Sequence, residues 1–124
     1  MRAVRSRDTG PELVVRGILT RIGFRYRLHR QDLPGRPDVS NRKLGVAILV
    51  HGCFWHRHPG CRFASFPKTN KPFWRQKFRS NVARDARDIR RLEQLGFRVI
   101  VVWGCETKAP FMLEDRMREA LQEW

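Results

Sequence analysis

A chain of 124 residues with 41% apolar content is long enough for one packed domain and too short for two. Its 26 basic residues against 12 acidic leave a formal charge of +14. Such an excess points to a polyanion, because each neutralised phosphate releases a condensed counterion; nucleic acid leads over an anionic membrane, since no apolar run approaches the roughly 20 residues of a span.

Met1 to Arg7 carry three arginines without periodicity and read as a basic arm. No signal-peptide pattern opens the chain. Thr9-Gly-Pro-Glu12 then predicts a helix start: Thr9 can cap, Pro11 suits the first turn, and Thr9-x-x-Glu12 matches a capping box. Gly23 is the expected stop. Phe24 to His29 alternates apolar and polar residues, as a half-buried strand does. Leu33-Pro-Gly-Arg-Pro-Asp38 is turn chemistry, and a short strand is expected over Asp38 to Ser40. Leu44 to Val50 is apolar on successive residues, which predicts a strand covered on both faces.

Val50 to Cys61, Val-His-Gly-Cys-Phe-Trp-His-Arg-His-Pro-Gly-Cys, concentrates the chemistry of the chain. It holds three of the four histidines and two of the three cysteines. After an irregular basic stretch, Pro72 opens the longest helix, running to about Leu95 and closed by Gly96. Phe78, Val82, Ile89, Leu92 and Leu95 recur on it at helical spacing, with arginines on the other faces. Phe97 to Trp103 is a second buried strand, joined to Leu44–Val50 by a helix, so a right-handed parallel crossover is the default. Cys105 lies just past it. Leu113 to Trp124 closes the chain as an amphipathic helix. The sum is an α/β domain, a mixed sheet with helices on its faces.

Three cysteines are an odd set for a disulfide framework, and two of them sit among histidines. Metal ligation in a reducing, cytoplasmic compartment fits better. Cys53, His58, Cys61 and Cys105 can supply a tetrahedral Zn²⁺ shell, with His51 or His56 as substitutes for His58 on spacing alone. The plainer reading is a buried core thiol at Cys105 and solvent-exposed histidines.

Asp38 at a strand start, next to the strand ending in Val50, has the shape of a metal-dependent nuclease core. One carboxylate and a main-chain carbonyl can suffice for Mg²⁺, which keeps several waters. Taken alone, Pro37-Asp38 reads first as ordinary turn chemistry. His51 and His56 are both candidates for the general base. Glu12 can orient such a histidine or serve the capping box. Phe54, Trp55 and Trp74 are either loop packing or wedges that unstack bases.

The blocks Arg7-Asp-Thr-Gly-Pro-Glu12, Phe24-Arg-Tyr-Arg-Leu-His29, Leu33-Pro-Gly-Arg-Pro-Asp38, His51-Gly-Cys-Phe-Trp-His56, Pro67-Lys-Thr-Asn70 with Phe73-Trp74, Asn81-Val-x-Arg-Asp85 and Val101-Val-Trp-x-Cys105 span nearly the whole chain. In this order they closely resemble the very short patch repair (Vsr) mismatch endonucleases. The resemblance implies a single Vsr-like endonuclease domain over 1–124, with a restriction-endonuclease-like core and a structural zinc site. It implies catalytic Mg²⁺ on Asp38 and the Val50 carbonyl, and His56 as general base with Glu12 as its partner. His51 would support the phosphate or water, and Cys53, His58, Cys61 and Cys105 would hold structural Zn²⁺. Phe54, Trp55 and Trp74 would wedge beside a T·G mismatch in double-stranded DNA. The implied reaction is hydrolysis of the phosphodiester 5′ of the mismatched thymine, by a monomer associated with the nucleoid and working with repair proteins.

The sequence departs from the family pattern in three places. Family members usually carry further residues before Met1-Arg2-Ala3, so a shortened DNA-embracing arm or a late start is expected. Gly104 replaces an acidic residue before the last cysteine. The usual acid-x-Lys is absent after Asp38, where Val50-His51-Gly52 stands. Two other functions fit part of the sequence: a Vsr-like nuclease of restriction or phage defence without strict mismatch preference, and a non-catalytic zinc-stabilised nucleic-acid-binding module.

Overall fold

The computed structural model describes residues 9–122, so the basic arm expected over Met1 to Arg7 and the end of the last helix at Trp124 lie outside the described residues. Three helices and a four-stranded sheet form in the order α1 (Gly10–Arg21), β1 (Arg27–Leu28), β2 (Val39–Asn41), β3 (Val46–His51), α2 (Lys71–Gln94), β4 (Arg98–Trp103) and α3 (Pro110–Leu121). A 3₁₀ turn, Gly104–Lys108, joins β4 to α3. No helix among the described residues is long and apolar enough to cross a membrane.

The sheet has spatial order β1-β2-β3-β4, antiparallel at the first two junctions and parallel between β3 and β4. Val46 pairs with Arg98 and His51 with Trp103, so β3 and β4 end together. Side chains alternate along β3. Val46 and Ile48 join Val15, Ile18, Leu19, Leu113, Met117 and Leu121 in the core beneath α1 and α3. Ala47 and Leu49 face the opposite way and pack with Leu33, Leu92 and Phe97 under α2. The continuous apolar run of β3 is thus the consequence of helices on both faces.

Local signals account for the element ends. The Thr9 hydroxyl accepts the Glu12 N–H at 3.3 Å and caps α1. Gly23, at φ +81°, closes it, with the Phe24 N–H donating to the Leu19 carbonyl. That closure uses up the start of the strand expected over Phe24 to His29. Only Arg27 and Leu28 pair, and His29 turns the chain at φ +48°. The last helix starts at Pro110, earlier than the Leu113 expected from its apolar spacing, because proline suits the first helical turn.

The inward stripe of α2 also differs from the apolar spacing. Val82 and Leu95 are 47% and 60% exposed, while Phe78, Asn81 and Leu92 are buried and Asp85 is half-buried. The helix is rotated so that two polar residues, Asn81 and Asp85, face the sheet end and the loop after β3. A buried polar side chain is stable only with partners, and both have them.

Candidate active site and metal centre

β3 and β4 end at the same level, and β2 begins beside them, so three chain segments deliver side chains to one end of the sheet. A cleft of about 660 Å³ opens there, lined by Asp38, Val50, His51, His56, Arg84 and Asp85 among others. The carboxylate from the first half of the chain and the imidazoles some fifteen residues later therefore share a cavity.

Asp38 sits at the start of β2, and its Oδ2 accepts the Val50 N–H at 2.7 Å. Burial is the main reason its carboxyl is raised to about 7; the Val50 N–H opposes that rise, and the neighbouring Glu12 carboxylate adds to it. The ladder between β2 and β3 stops at Val39 opposite Ile48. Continued in register, Val50 stands opposite Pro37, which has no N–H to donate. In a strand a residue's N–H and C=O point to the same side, so the Val50 carbonyl lies on the Asp38 side without a ladder partner from β2. Asp38 and this carbonyl are a hard-oxygen donor set of the kind Mg²⁺ takes. A carboxyl held up by burial and a second carboxylate is also the group a cation would relieve.

Glu12 is 1% exposed on α1. Both of its oxygens lie 3.0 Å from His29 Nε2, and Arg16 approaches at 3.6 Å. Ligand atoms of Glu12, His29 and Asp38 all lie within 4.8 Å of one another. Glu12 is thus a neighbour of Asp38, and the expected pairing of Glu12 with His56 is not what forms. The reason is topological: α1 packs behind the β1–β2 hairpin, where His29 directly follows β1.

His56 is instead bound by Asp85, with Nδ1 to Oδ2 at 2.6 Å. A carboxylate only accepts, so Nδ1 carries a proton, and in the neutral imidazole Nε2 is the acceptor nitrogen. His51 stacks on His56 at 3.9 Å and an interplanar angle of 5°, and meets the edge of Trp103 at 5.4 Å. Burial first, and then the neighbouring His56, depress His51 to about 4, so it stays neutral at physiological pH. The sequence left His51 and His56 open as the base. Of the two, His56 is the one whose ring nitrogen meets a carboxylate, that of Asp85. Asp85 closes one of the blocks that carry the family resemblance, but nothing in the sequence paired it with His56. The signal for it was its spacing from Phe78, Asn81 and Leu92 on a single face.

Around the corner of the same loop, Cys53, His58, Cys61 and Cys105 bring their ligand atoms within 4.8 Å of one another. Cys53 Sγ lies 3.7 Å and Cys105 Sγ 3.5 Å from His58 Nδ1. A tetrahedron with Zn–S near 2.3 Å and Zn–N near 2.0 Å has S···N edges of about 3.5 Å, so this soft donor set fits zinc. The Cys105 N–H lies 3.3 Å from Cys53 Sγ and supports that sulfur as an acceptor. Without a cation the crowding is unfavourable: burial, and then Cys53 and Cys61, push the Cys105 thiol up to about 11. His58 belongs to this group, while His51 and His56, its two substitutes on spacing, belong with Asp85. The ring of His58 stacks on Trp103 at 4.2 Å, so Trp103 touches both the Cys/His cluster and His51.

Phe54, Trp55 and Trp74 gather beside the cleft. Phe54 lies 5.1 Å from Trp55 and 5.7 Å from Trp74, and the two tryptophans are 5.9 Å apart. Trp55 is 36% exposed. The Asn81 amide donates to the Trp55 carbonyl at 3.1 Å, which accounts for its burial on α2.

A family model described as DNA mismatch endonuclease Vsr matches residues 1–62. The type II nicking enzyme V.XorIIP of Xanthomonas oryzae pv. oryzae is 47% identical over 121 residues, covering 98% of this chain and 88% of that protein. The DNA mismatch endonuclease Vsr of Escherichia coli is 42% identical over 125 residues, covering 100% of this chain and 80% of that one. The type II nicking enzyme V.NmeAIP of Neisseria meningitidis is 38% identical, covering 99% and 87%. With a cleft that unites carboxylates and imidazoles, a Cys/His cluster beside it and relatives that match this chain along nearly its whole length, the chain belongs to the Vsr family of DNA endonucleases.

Proposed function

We propose that this protein is a Mg²⁺-dependent DNA endonuclease that nicks the strand 5′ of the thymine in a T·G mismatch. The observation that carries the reading is the shared cleft of Asp38, Val50, His56 and Asp85. On this reading the whole chain is one Vsr-like domain with a restriction-endonuclease-like core. Asp38 and the Val50 carbonyl would hold the cation, which would supply charge to polarise the phosphoryl oxygen and stabilise the leaving oxyanion. His56 Nε2 takes the proton of the attacking water, and Asp85 fixes the imidazole tautomer and steadies the imidazolium that results. His51, neutral and stacked on His56, positions the phosphate or the water. Glu12 and His29 lie behind Asp38, where Glu12 adds negative charge that favours a bound cation.

Asp85→Asn tests the base assignment. It is expected to lower single-turnover kcat by roughly 10²–10⁴-fold with KM little changed, because an amide no longer dictates the tautomer. Wild-type kcat in that variant would remove Asp85 from the mechanism.

Cys53, His58, Cys61 and Cys105 hold a structural Zn²⁺ that pins the loop after β3 to the end of β4. Phe54, Trp55 and Trp74 form the wedge that enters the base stack beside the mismatch. Aromatic side chains grouped beside a cleft, on a strongly basic protein, support that role. The experiment that tests substrate choice compares cleavage of T·G, T·A and methylated duplexes of one sequence. Preferential nicking of T·G supports the repair function. Equal cleavage of all three would favour a restriction or defence nuclease, and binding without cleavage a non-catalytic module.

A further inference from the structure

Phe54 and Trp55 stand on a segment with no strand or helix of its own, residues 52–70, between β3 and α2, and Trp74 stands near the start of α2. A wedge has to keep a fixed depth and angle, so something must hold that segment rigid. We propose that Arg57 is the positioning residue of the wedge, and through it a determinant of mismatch discrimination. This rests on the wedge reading given above.

Arg57 takes φ +55°, a conformation uncommon outside glycine. Its Nη1 donates to the Phe54 carbonyl at 3.2 Å and to the Ser65 carbonyl at 3.0 Å. Its Nη2 donates to the Ala64 carbonyl at 2.8 Å. Both limbs of the loop are thereby tied to one planar group. The guanidinium carbon also lies 3.9 Å from the centre of the Phe78 ring, on the buried face of α2. Phe78 in turn packs edge-on to Phe54 at 5.3 Å and against Trp74 at 5.5 Å. One side chain therefore joins the carbonyl beneath Phe54, the returning limb and the ring on which Phe54 and Trp74 rest.

Among the described residues Arg57 makes no ion pair; three neutral carbonyls and an aromatic face take its place. That arrangement needs a fork of fixed geometry, which lysine lacks. Arg57 also follows His56 directly, so the same pin sets the wedge relative to the proposed base. A displacement of about 1 Å between positioning group and chemistry costs on the order of 100-fold.

The test measures single-turnover cleavage of T·G and T·A duplexes, and tryptophan fluorescence on binding them, for wild type, Arg57→Lys, Arg57→Ala and Trp55→Ala. Lysine keeps a cation over Phe78 and so preserves folding, checked by bound metal and melting temperature. Both Arg57 variants are expected to lose about tenfold or more of the T·G over T·A rate ratio. Their fluorescence response to T·G DNA should fall as well. A wild-type ratio in Arg57→Lys, with Trp55→Ala impaired, overturns the assignment of Arg57 alone. A wild-type ratio in Trp55→Ala overturns the wedge reading, and the role of Arg57 with it.

Discussion

Asp38→Asn is expected to lower nicking by at least about 10³-fold, equivalent to about 4 kcal/mol of barrier, while making the metal-free protein more stable at neutral pH. The loss follows from removing the only charge that Asp38 offers a cation. The gain follows from its surroundings. Asp38 is raised from 3.8 to about 7, first by burial and further by Glu12. In the folded state it holds its proton through a range where the unfolded chain has lost one. Between about pH 4 and pH 7 the native state thus binds more protons than the unfolded state, and metal-free stability falls as pH rises through that window. An amide at this position has no proton to lose. Melting curves of metal-free wild type and Asp38→Asn should therefore diverge as pH is raised from 5 to 8, with the variant melting higher at pH 8. Added Mg²⁺ should raise the wild-type melting temperature and leave the variant unmoved. A variant that nicks at the wild-type rate, or a gap that closes with rising pH, would refute the site.

The second large effect is expected at Cys105→Ser. The protein should carry one tightly held zinc per chain, and this variant should lose it together with about 3 kcal/mol of stability, roughly 10 °C or more in melting temperature. Cys105 is the one member of the Cys/His cluster from the far side of the crossover, placed there by the turn after β4, and its N–H also supports Cys53 Sγ. Its removal leaves three ligands on a single loop and unties that loop from the sheet. The effect should reach catalysis as well, since Trp103 stacks on His58 and meets the edge of His51. Metal analysis of freshly purified wild type checks the first statement, and thermal melting checks the second. Zinc absent from the wild type would remove the structural role given to the cluster.

Much of the fold was legible because its signals are local. A capped helix start, glycines that close both long helices, and two apolar runs separated by a helix led to α1, β3, α2, β4 and the parallel crossover. The strand over Phe24 to His29 was overdrawn because alternation cannot reveal that Phe24 is spent on closing a helix. The Cys/His set was legible from its chemistry, since odd cysteines among histidines have few other purposes. The partner of His56 was not. Glu12 lies at a position where a local cap explains an acidic residue, and its engagement with His29 depends on how α1 meets the β1–β2 hairpin. Asp85 sits on a helix whose arginines read as a solvated face, and its direction depends on helix rotation. The value of Pro37 was hidden for the same reason, because a missing N–H matters only once Val50 stands across from it.

Mapping the cut on an end-labelled duplex with a single T·G pair, with Mg²⁺ or with chelator, tests the convergence of Asp38 and His56 on one cation-dependent reaction most directly. One nick is expected, immediately 5′ of the mismatched thymine, in the presence of Mg²⁺ and none with chelator, and no nick with His56→Ala in either. Tight binding to the duplex with no cut, or a cut that survives chelation or the loss of His56, would contradict that convergence.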